Sequence, residues 1–126
     1  MRFYDSQFIT RGKANQGLLT RFENTLNEYF KSDKASKMGL PSVGYFAEQL
    51  YLSPNYFGDM IKKETGKSPQ EHIQLKLIST AKERIFDPGK SLAEIAYELG
   101  FKHPQHFSRM FKETTGVSPS EYRNLN

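Results

Sequence analysis

Two predicted helices carry side chains that can hydrogen-bond to the edges of nucleic acid bases. Gln105 and Arg109 lie four residues apart on one face of the second helix, and Asn55 lies near the start of the first. Asparagine and glutamine can each form two hydrogen bonds to adenine, and arginine two to guanine, each pair contributing about 1–3 kcal/mol of discrimination. An aspartate can accept from the amino group of cytosine. The candidates for base reading are Asn55, Asp59, Gln105, His106, Ser108 and Arg109.

A second group of polar side chains flanks these positions and is suited to contact phosphates. Lysine and histidine can neutralise a phosphate, and serine and tyrosine hydroxyls can donate a hydrogen bond to it. This group comprises Ser53, Tyr56, Lys62, Lys63, His103 and Lys112. On an isolated helix the same residues would be ordinary solvated surface, so their interpretation depends on the elements that carry them.

The sequence does not indicate a metal site or an enzyme active site. His103 and His106 are three residues apart and offer two metal ligands, but no third ligand follows at a typical spacing. The chain has no cysteine, no glycine-rich phosphate loop and no isolated pair of acidic residues. We therefore expect no catalytic residue, no bound metal, no cofactor and no enzymatic activity.

Length and composition favour one ordinary domain, or two very small ones that share a helix. The chain has 126 residues, of which 37% are hydrophobic, so it can build a core. The absence of cysteine excludes a disulfide scaffold. No apolar run approaches the roughly 18–20 residues of a membrane span, and the start lacks the apolar core of a signal peptide. We expect a cytoplasmic location and no membrane partner.

The net charge of +4 is modest and unevenly distributed. Residues 1–39 contain 7 Lys and Arg against 4 Asp and Glu, whereas residues 40–126 contain 11 against 10. Most of the positive charge therefore lies outside the part of the chain that carries the candidate residues. This suggests the hypothesis that Arg11, Lys13 or Arg21 adds phosphate contacts from the N-terminal segment.

Helix-start and helix-stop signals divide the chain into seven predicted helices. They cover about 16–31, 43–51, 54–65, 69–86, 92–99, 104–115 and 119–124. Three capping boxes begin at Ser68, Ser91 and Ser118, and we interpret Glu71 and Glu121 as caps rather than as phosphate contacts. The polar residues 32–37 break the helical pattern, and 39–42 are predicted to form a loop. No strand is expected.

An internal repeat is the most informative feature of the sequence. Residues 54–71 match residues 104–121 at an offset of 50, with nine of the eighteen positions identical. Upstream the offset is 49, so the second copy has one additional residue between Phe101 and Pro104. Each copy has a small alanine, Ala47 or Ala96, inside a short first helix, where it allows a second helix to approach closely.

This arrangement is typical of a helix-turn-helix unit, which favours nucleic acid binding. Two generic helical hairpins, as in an α-solenoid, are the alternative. A solenoid, however, needs at least about three repeats for stability, and here the two copies are joined by a long helix.

The repeat also resembles the C-terminal DNA-binding domain of the AraC/XylS family of bacterial transcription regulators. The resemblance covers about residues 42–124, and the second copy follows the family signature almost throughout. Its markers include Ile95-Ala96, Leu99-Gly100-Phe101, Phe107-Ser108-Arg109-Met110-Phe111-Lys112 and Gly116-Val117-Ser118-Pro119. The resemblance implies an all-α fold with two helix-turn-helix units joined by a linker helix. It also implies double-stranded DNA as partner, with RNA polymerase as a further candidate partner.

Under this interpretation the chain has an N-terminal segment, 1–39, and a DNA-binding domain, 40–126. The domain would comprise a first unit at about 42–66, a linker helix at 69–86, a second unit at 91–116 and a terminal helix at 119–124. Residues 1–39 are too short for the effector-binding domain that family members usually carry, so the chain would be a fragment of a longer regulator or a single-domain regulator. The alternative function is a helical protein-interaction or dimerisation module, with helix 16–31 binding a partner. We expect that helix to pack on the first unit instead.

The two units are not expected to read DNA equally. At the reading face of the first unit, Gly58 has no side chain and Asp59 repels phosphate, whereas the second unit has Gln105 and Arg109. We expect the second unit to supply most base readout and the first mainly to position the protein. A linker helix at 69–86 would span about 27 Å. That length suits two major-groove segments lying about 34 Å apart on one face of DNA.

Overall fold

The described part of this computed structural model, residues 11–125 with side chains from Gly17 onward, consists of helices joined by turns. The helices are α1 (Arg11–Lys31), α2 (Lys34–Met38), α3 (Val43–Gln49), α4 (Pro54–Thr65), α5 (Pro69–Arg84), α6 (Leu92–Glu98), α7 (Pro104–Thr115) and α8 (Pro119–Arg123). The predicted all-α class is confirmed: α3–α4 and α6–α7 form two helix-turn-helix units, and α5 joins them. None of these eight helices is long and apolar enough to span a lipid bilayer.

One predicted polar break and two predicted helix limits were wrong. Residues 34–38, assigned to a polar break, form the short helix α2, because Ala35 is buried in the core there. Helix α1 begins at Arg11 rather than near residue 16. The linker helix ends at Arg84 rather than 86, with Ile85 as its C-cap residue.

Side-chain caps explain why most of these helices begin where they do. The predicted capping boxes are present at Ser68, Ser91 and Ser118, where each serine accepts a backbone N–H and a glutamate accepts the serine's own N–H. The backbone N–H of Ser68 stabilises the carboxylate of Glu71 and so holds its pKa below the ordinary value, as Ser118 does for Glu121. Both glutamates are thus engaged in caps, as predicted.

The core of the first unit extends into α1. Phe22 of α1 is fully buried, and its ring centroid lies 4.9 Å from that of Phe57 in α4 and 5.5 Å from that of Phe46 in α3. These edge-to-face contacts are the arrangement that aromatic rings prefer. The apolar stripe of α1 is therefore covered by this chain's own helices, which confirms the prediction that α1 packs on the first unit.

The second unit has a matching core of aromatic residues. Phe107 contacts both Phe101 and Phe111, with ring centroids 5.4 and 5.8 Å apart, and Phe111 contacts Tyr122 of α8 at 5.4 Å. Ala96 is fully buried, like Ala47 in the first unit, so each first helix presents a small residue to its partner. This is the close helix approach that the repeat predicts.

The turns of the two units differ in one respect. After α6 the chain turns through Gly100 at φ +106°, whereas after α3 the corresponding residue is Tyr51 at φ +61°, with its side chain 91% exposed. Gly100 also touches the loop after α2, because a Cβ at Gly100 would lie 2.7 Å from the carbonyl carbon of Gly39. Glycine is required at this turn for both reasons.

Candidate nucleic-acid interface

Helices α4 and α7 each bury one face and expose the opposite one. Phe57 and Ile61 of α4 are buried, as are Phe107 and Phe111 of α7. The helical period then directs the residues between them to solvent. All six candidates for base reading are exposed, namely Asn55, Asp59, Gln105, His106, Ser108 and Arg109. All six candidates for phosphate contact are exposed as well, namely Ser53, Tyr56, Lys62, Lys63, His103 and Lys112.

The exposed face of α7 is richer in hydrogen-bonding groups. Gln105 and Arg109 lie one turn apart on α7 and, within the described residues, neither side chain is engaged in an intramolecular hydrogen bond. Their amide and guanidinium groups are therefore available to an external partner. At the corresponding face of α4, Gly58 has no neighbouring atom within 4 Å of a Cβ built on it. That face has an open space where α7 has a side chain.

The two helix starts differ at the N-cap position, where the first copy has Ser53 and the second has His103. At α4 the Oγ of Ser53 accepts the backbone N–H of Tyr56 at 3.2 Å. At α7 the N-cap residue is His103, whose side chain forms no cap hydrogen bond. Its imidazole instead lies edge-on to that of His106, with centroids 5.2 Å apart. The second copy therefore has a pair of exposed imidazoles where the first copy has a serine cap.

The geometry around this imidazole pair is that of a surface groove. The pair borders a groove whose other lining residues include Met38, Leu40 and Lys102. In residues 17–125, no three His, Cys, Asp or Glu side chains are grouped so that they could hold a metal ion.

The lysine candidates lie at the other ends of the two helices. Lys62 and Lys63 are in the last turn of α4, and Lys112 is in the last turn of α7. A lysine there also interacts favourably with the negative end of the helix dipole. All three lysines are exposed, and their position stabilises the helices independently of any partner.

The N-terminal cations have different environments. The guanidinium of Arg21 donates to the carbonyl oxygen of Leu50 at 3.3 Å, at the C-cap of α3, so part of it is already engaged with the first unit. The side chains of Arg11 and Lys13, also proposed as phosphate contacts, lie outside the described residues.

Two further residues, Arg84 and Arg123, form contacts that were not predicted from the sequence. Arg84 donates to the Phe30 carbonyl oxygen at 2.6 Å and lies 3.5 Å from Glu98, and Arg123 donates to the Ile85 carbonyl oxygen at 2.6 Å. A charged residue in an amphipathic helix is ordinarily interpreted as solvated surface, so nothing in the sequence indicates these contacts of Arg84. Arg123 lies in the last turn of α8, and the sequence likewise contains no signal for its contact with Ile85.

Comparisons with known proteins place this arrangement among helix-turn-helix domains. A family model described as a helix-turn-helix domain matches residues 46–125, more than half of the chain. An uncharacterized HTH-type transcriptional regulator from Bacillus subtilis strain 168, YobQ, is 36% identical over 62 residues. That match covers 49% of this chain and 26% of the relative, so the chain spans about a quarter of that protein.

Solved structures extend the similarity to the whole helical arrangement. The C-terminal domain of AraT, a response regulator from Geobacillus stearothermophilus, superimposes with a TM-score of 0.75 at 25% identity, over 94% of this chain and 88% of that one. The C-terminal domain of the two-component response regulator yesN from Fusobacterium nucleatum gives a TM-score of 0.69 at 25% identity, over 81% and 93%. The DNA-binding domain of AdpA, solved in complex with a target DNA, gives 0.70 at 21% identity, over 86% and 90%.

Proposed function

The chain belongs to the family of AraC-type helix-turn-helix domains, and we propose that it binds double-stranded DNA by inserting α4 and α7 into two successive major-groove segments. The observation that carries this proposal is the exposed polar face of each helix, described above, on two units that α5 joins within one fold. The related AdpA domain was solved with its target DNA, which supports duplex DNA as the partner.

The dimensions of α5 support binding at two separated positions. Its 16 residues span about 24 Å at 1.5 Å per residue. Successive major-groove segments on one face of B-DNA lie about 34 Å apart. Helix α5 contacts α4, and Nε2 of Gln74 in α5 lies 3.5 Å from Oγ1 of Thr114 in α7, so both helices pack against the linker that joins their units. One chain then covers a site that an ordinary helix-turn-helix protein covers as a dimer.

Within this proposal the second unit contributes most of the sequence discrimination. Gln105 is suited to adenine and Arg109 to guanine, with His106 and Ser108 beside them. The first unit contributes Asn55 and Asp59 and mainly sets position, supported by phosphate contacts from Ser53, Tyr56 and the lysines of both helices. In this function the chain is the DNA-binding part of a transcription regulator that acts in the cytoplasm and engages RNA polymerase at its target promoters.

Selection of duplexes from a random DNA pool, followed by sequencing, tests the proposal. We expect an enriched motif with two conserved segments separated by about one helical turn, roughly 10 base pairs. Fluorescence anisotropy on that site should show affinity falling with salt, because each neutralised phosphate releases counterions and contributes about −0.9 to the slope of log K against log salt. A slope near zero, or a pool with no enriched sequence, would contradict the proposal.

A further inference from the structure

The two helix-turn-helix units are held together by more than the linker helix. Arg84, at the end of α5, donates from Nη2 to the Phe30 carbonyl oxygen at 2.6 Å. Phe30 lies in the last turn of α1, where carbonyl groups have no helical partner and form the negative end of the dipole. A guanidinium is therefore well suited to this position, and it fastens the end of the linker to α1.

The same guanidinium reaches the second unit. Its Nη1 lies 3.5 Å from Oε1 of Glu98, in α6, and Oε2 of Glu98 lies 2.8 Å from Nζ of Lys90. The side chains of Arg84 and Glu98 are 27% and 33% exposed, so water screens this pair less than it would a fully exposed one. Arg84 thus connects α1, α5 and α6 through one side chain.

A second joint lies at the loop after α2. Gly100, in the turn between α6 and α7, packs against the backbone of Gly39 and Leu40 so closely that a Cβ would lie within 2.9 Å of three backbone atoms. The hydroxyl of Tyr29 in α1 donates to the Gly39 carbonyl oxygen at 2.7 Å and holds that loop. Both joints therefore lie at the C-terminal end of α6, at Glu98 and Gly100, and fix that end against α1 and the loop after α2.

Fixing α6 also fixes α7, the reading helix of the second unit; α4 is the reading helix of the first unit. Ile95 of α6 and its C-cap residue Leu99 are fully buried, and α6 packs directly on α7, whose Phe107 is likewise buried. The two helices therefore move as one body. On the other side, α1 packs on α4 through Phe22 and Phe57, so α1 connects the two reading helices.

We propose that Arg84 is a positioning residue that, through the Phe30 carbonyl and Glu98, fixes α7 relative to α4 and thereby sets the one spacing of DNA segments that the protein accepts. This inference rests on the proposed function. Arg84 does not itself contact DNA: it limits how far the second unit can shift or rotate when the two segments of a site are moved apart.

A spacing series tests this inference. It uses the full chain, the selected site, and two altered sites that have one base pair added or removed between the segments. Each alteration shifts the second segment by about 3.4 Å along the DNA and rotates it by about 35°. We expect the wild-type chain to bind the selected spacing at least about tenfold more tightly than either altered one. For Arg84→Met, which keeps the apolar stem but removes both contacts, we expect this ratio to fall to about threefold or less.

Two further variants make the outcome decisive. Glu98→Gln keeps the size of the side chain and removes the ion pairs, and we expect it to relax the spacing preference as well. Lys37→Met is the matched control, because it removes one cation and one ion pair, to Asp33 at 2.8 Å, within α2 alone. It should keep the wild-type ratio.

The ratio separates positioning from general stability. A variant that is only less stable binds all three sites less well and leaves the ratio unchanged, and that result in folded Arg84→Met and Glu98→Gln would overturn the inference. Equal binding of the wild-type chain to all three spacings would overturn it without any variant. Hydroxyl-radical footprinting on the selected site distinguishes failure of this inference from failure of the proposed function. If the proposed function is wrong, the footprint will show a single protected segment or none.

Discussion

At the scale of single residues, the strongest contrast lies between Arg109 in α7 and Asn55 in α4. Both side chains are exposed on the reading face of their helix. An arginine that is bidentate to guanine contributes about 1–3 kcal/mol against the wrong base. We therefore expect Arg109→Ala to relax specificity at one position by that amount and Asn55→Ala to have a smaller effect, with a Lys37→Ala control for lost charge.

The measurement is anisotropy against the selected duplex and its single-base variants. A larger loss of specificity for Asn55→Ala would contradict the assignment of most base readout to the second unit. An equal loss of affinity on every duplex for Arg109→Ala would instead make Arg109 a phosphate contact.

Gly100 is the residue at which the backbone leaves least room. A methyl group there would meet the backbone of Gly39 at 2.7 Å, and φ is +106°, so Gly100→Ala both strains the turn and pushes the second unit away from the α2 loop. We expect a loss of about 3 kcal/mol in the free energy of unfolding, from strain and overpacking together. Chemical denaturation followed by circular dichroism measures it.

Gly116 provides the control for this prediction. It has φ +90°, yet no atom lies within 4 Å of a Cβ built on it. Gly116→Ala should therefore cost only the backbone strain, about 1–2 kcal/mol. Equal losses for the two variants would mean that the contact between Gly100 and Gly39 contributes nothing.

At the scale of elements, the joint between α1 and α5 contains a titratable group. The Nε2 of His72 in α5 lies 2.9 Å from Oγ1 of Thr65, and its ring centroid lies 5.9 Å from that of Phe22 in α1. Burial lowers the pKa of His72, with a further lowering from Lys67 and opposing contributions from Glu23 and Glu71. The neutral imidazole is thus the form that suits this joint.

The sign of the resulting pH dependence follows from that lowered pKa. Between the folded and unfolded pKa values the unfolded chain binds the proton that the folded chain does not, so stability falls as the pH decreases below about 6.5. We expect the free energy of unfolding to decrease from pH 7.5 to 5.5, and His72→Gln to show a shallower decrease. Denaturation curves at each pH measure it, and identical slopes would contradict the prediction.

Helix starts and packing faces could be predicted from the sequence, because caps and periodicity are local. Ser68, Ser91 and Ser118 begin helices as their capping boxes predict. Helix α2 was missed because Ala35 is its only buried residue and the segment around it is mostly polar. The contact of Arg84 with Phe30 could not be predicted, since it joins residues 54 apart in sequence and uses a backbone carbonyl, which every residue has.

At the scale of the whole molecule, the distribution of charge gains a structural explanation. Residues 1–39 carry most of the net charge, and two of their cations form contacts within the fold. Arg21 binds the C-cap of α3, and Lys37 pairs with Asp33. The net charge therefore indicates the partner poorly, and the positions of the cations on α4 and α7 are the better guide.

The covered face of α1 leads to a prediction about stoichiometry. Leu18, Phe22 and Leu26 of α1 are buried within this chain, so the stripe that could have bound a second copy is already occupied. Two reading helices on one chain can also cover both segments of a site without symmetry. We expect a monomer in solution and one chain on each selected duplex. Light scattering of the free protein and sedimentation of the complex measure both masses. Two chains on a duplex with only two protected segments would contradict the prediction, because each chain would then be reading with a single helix.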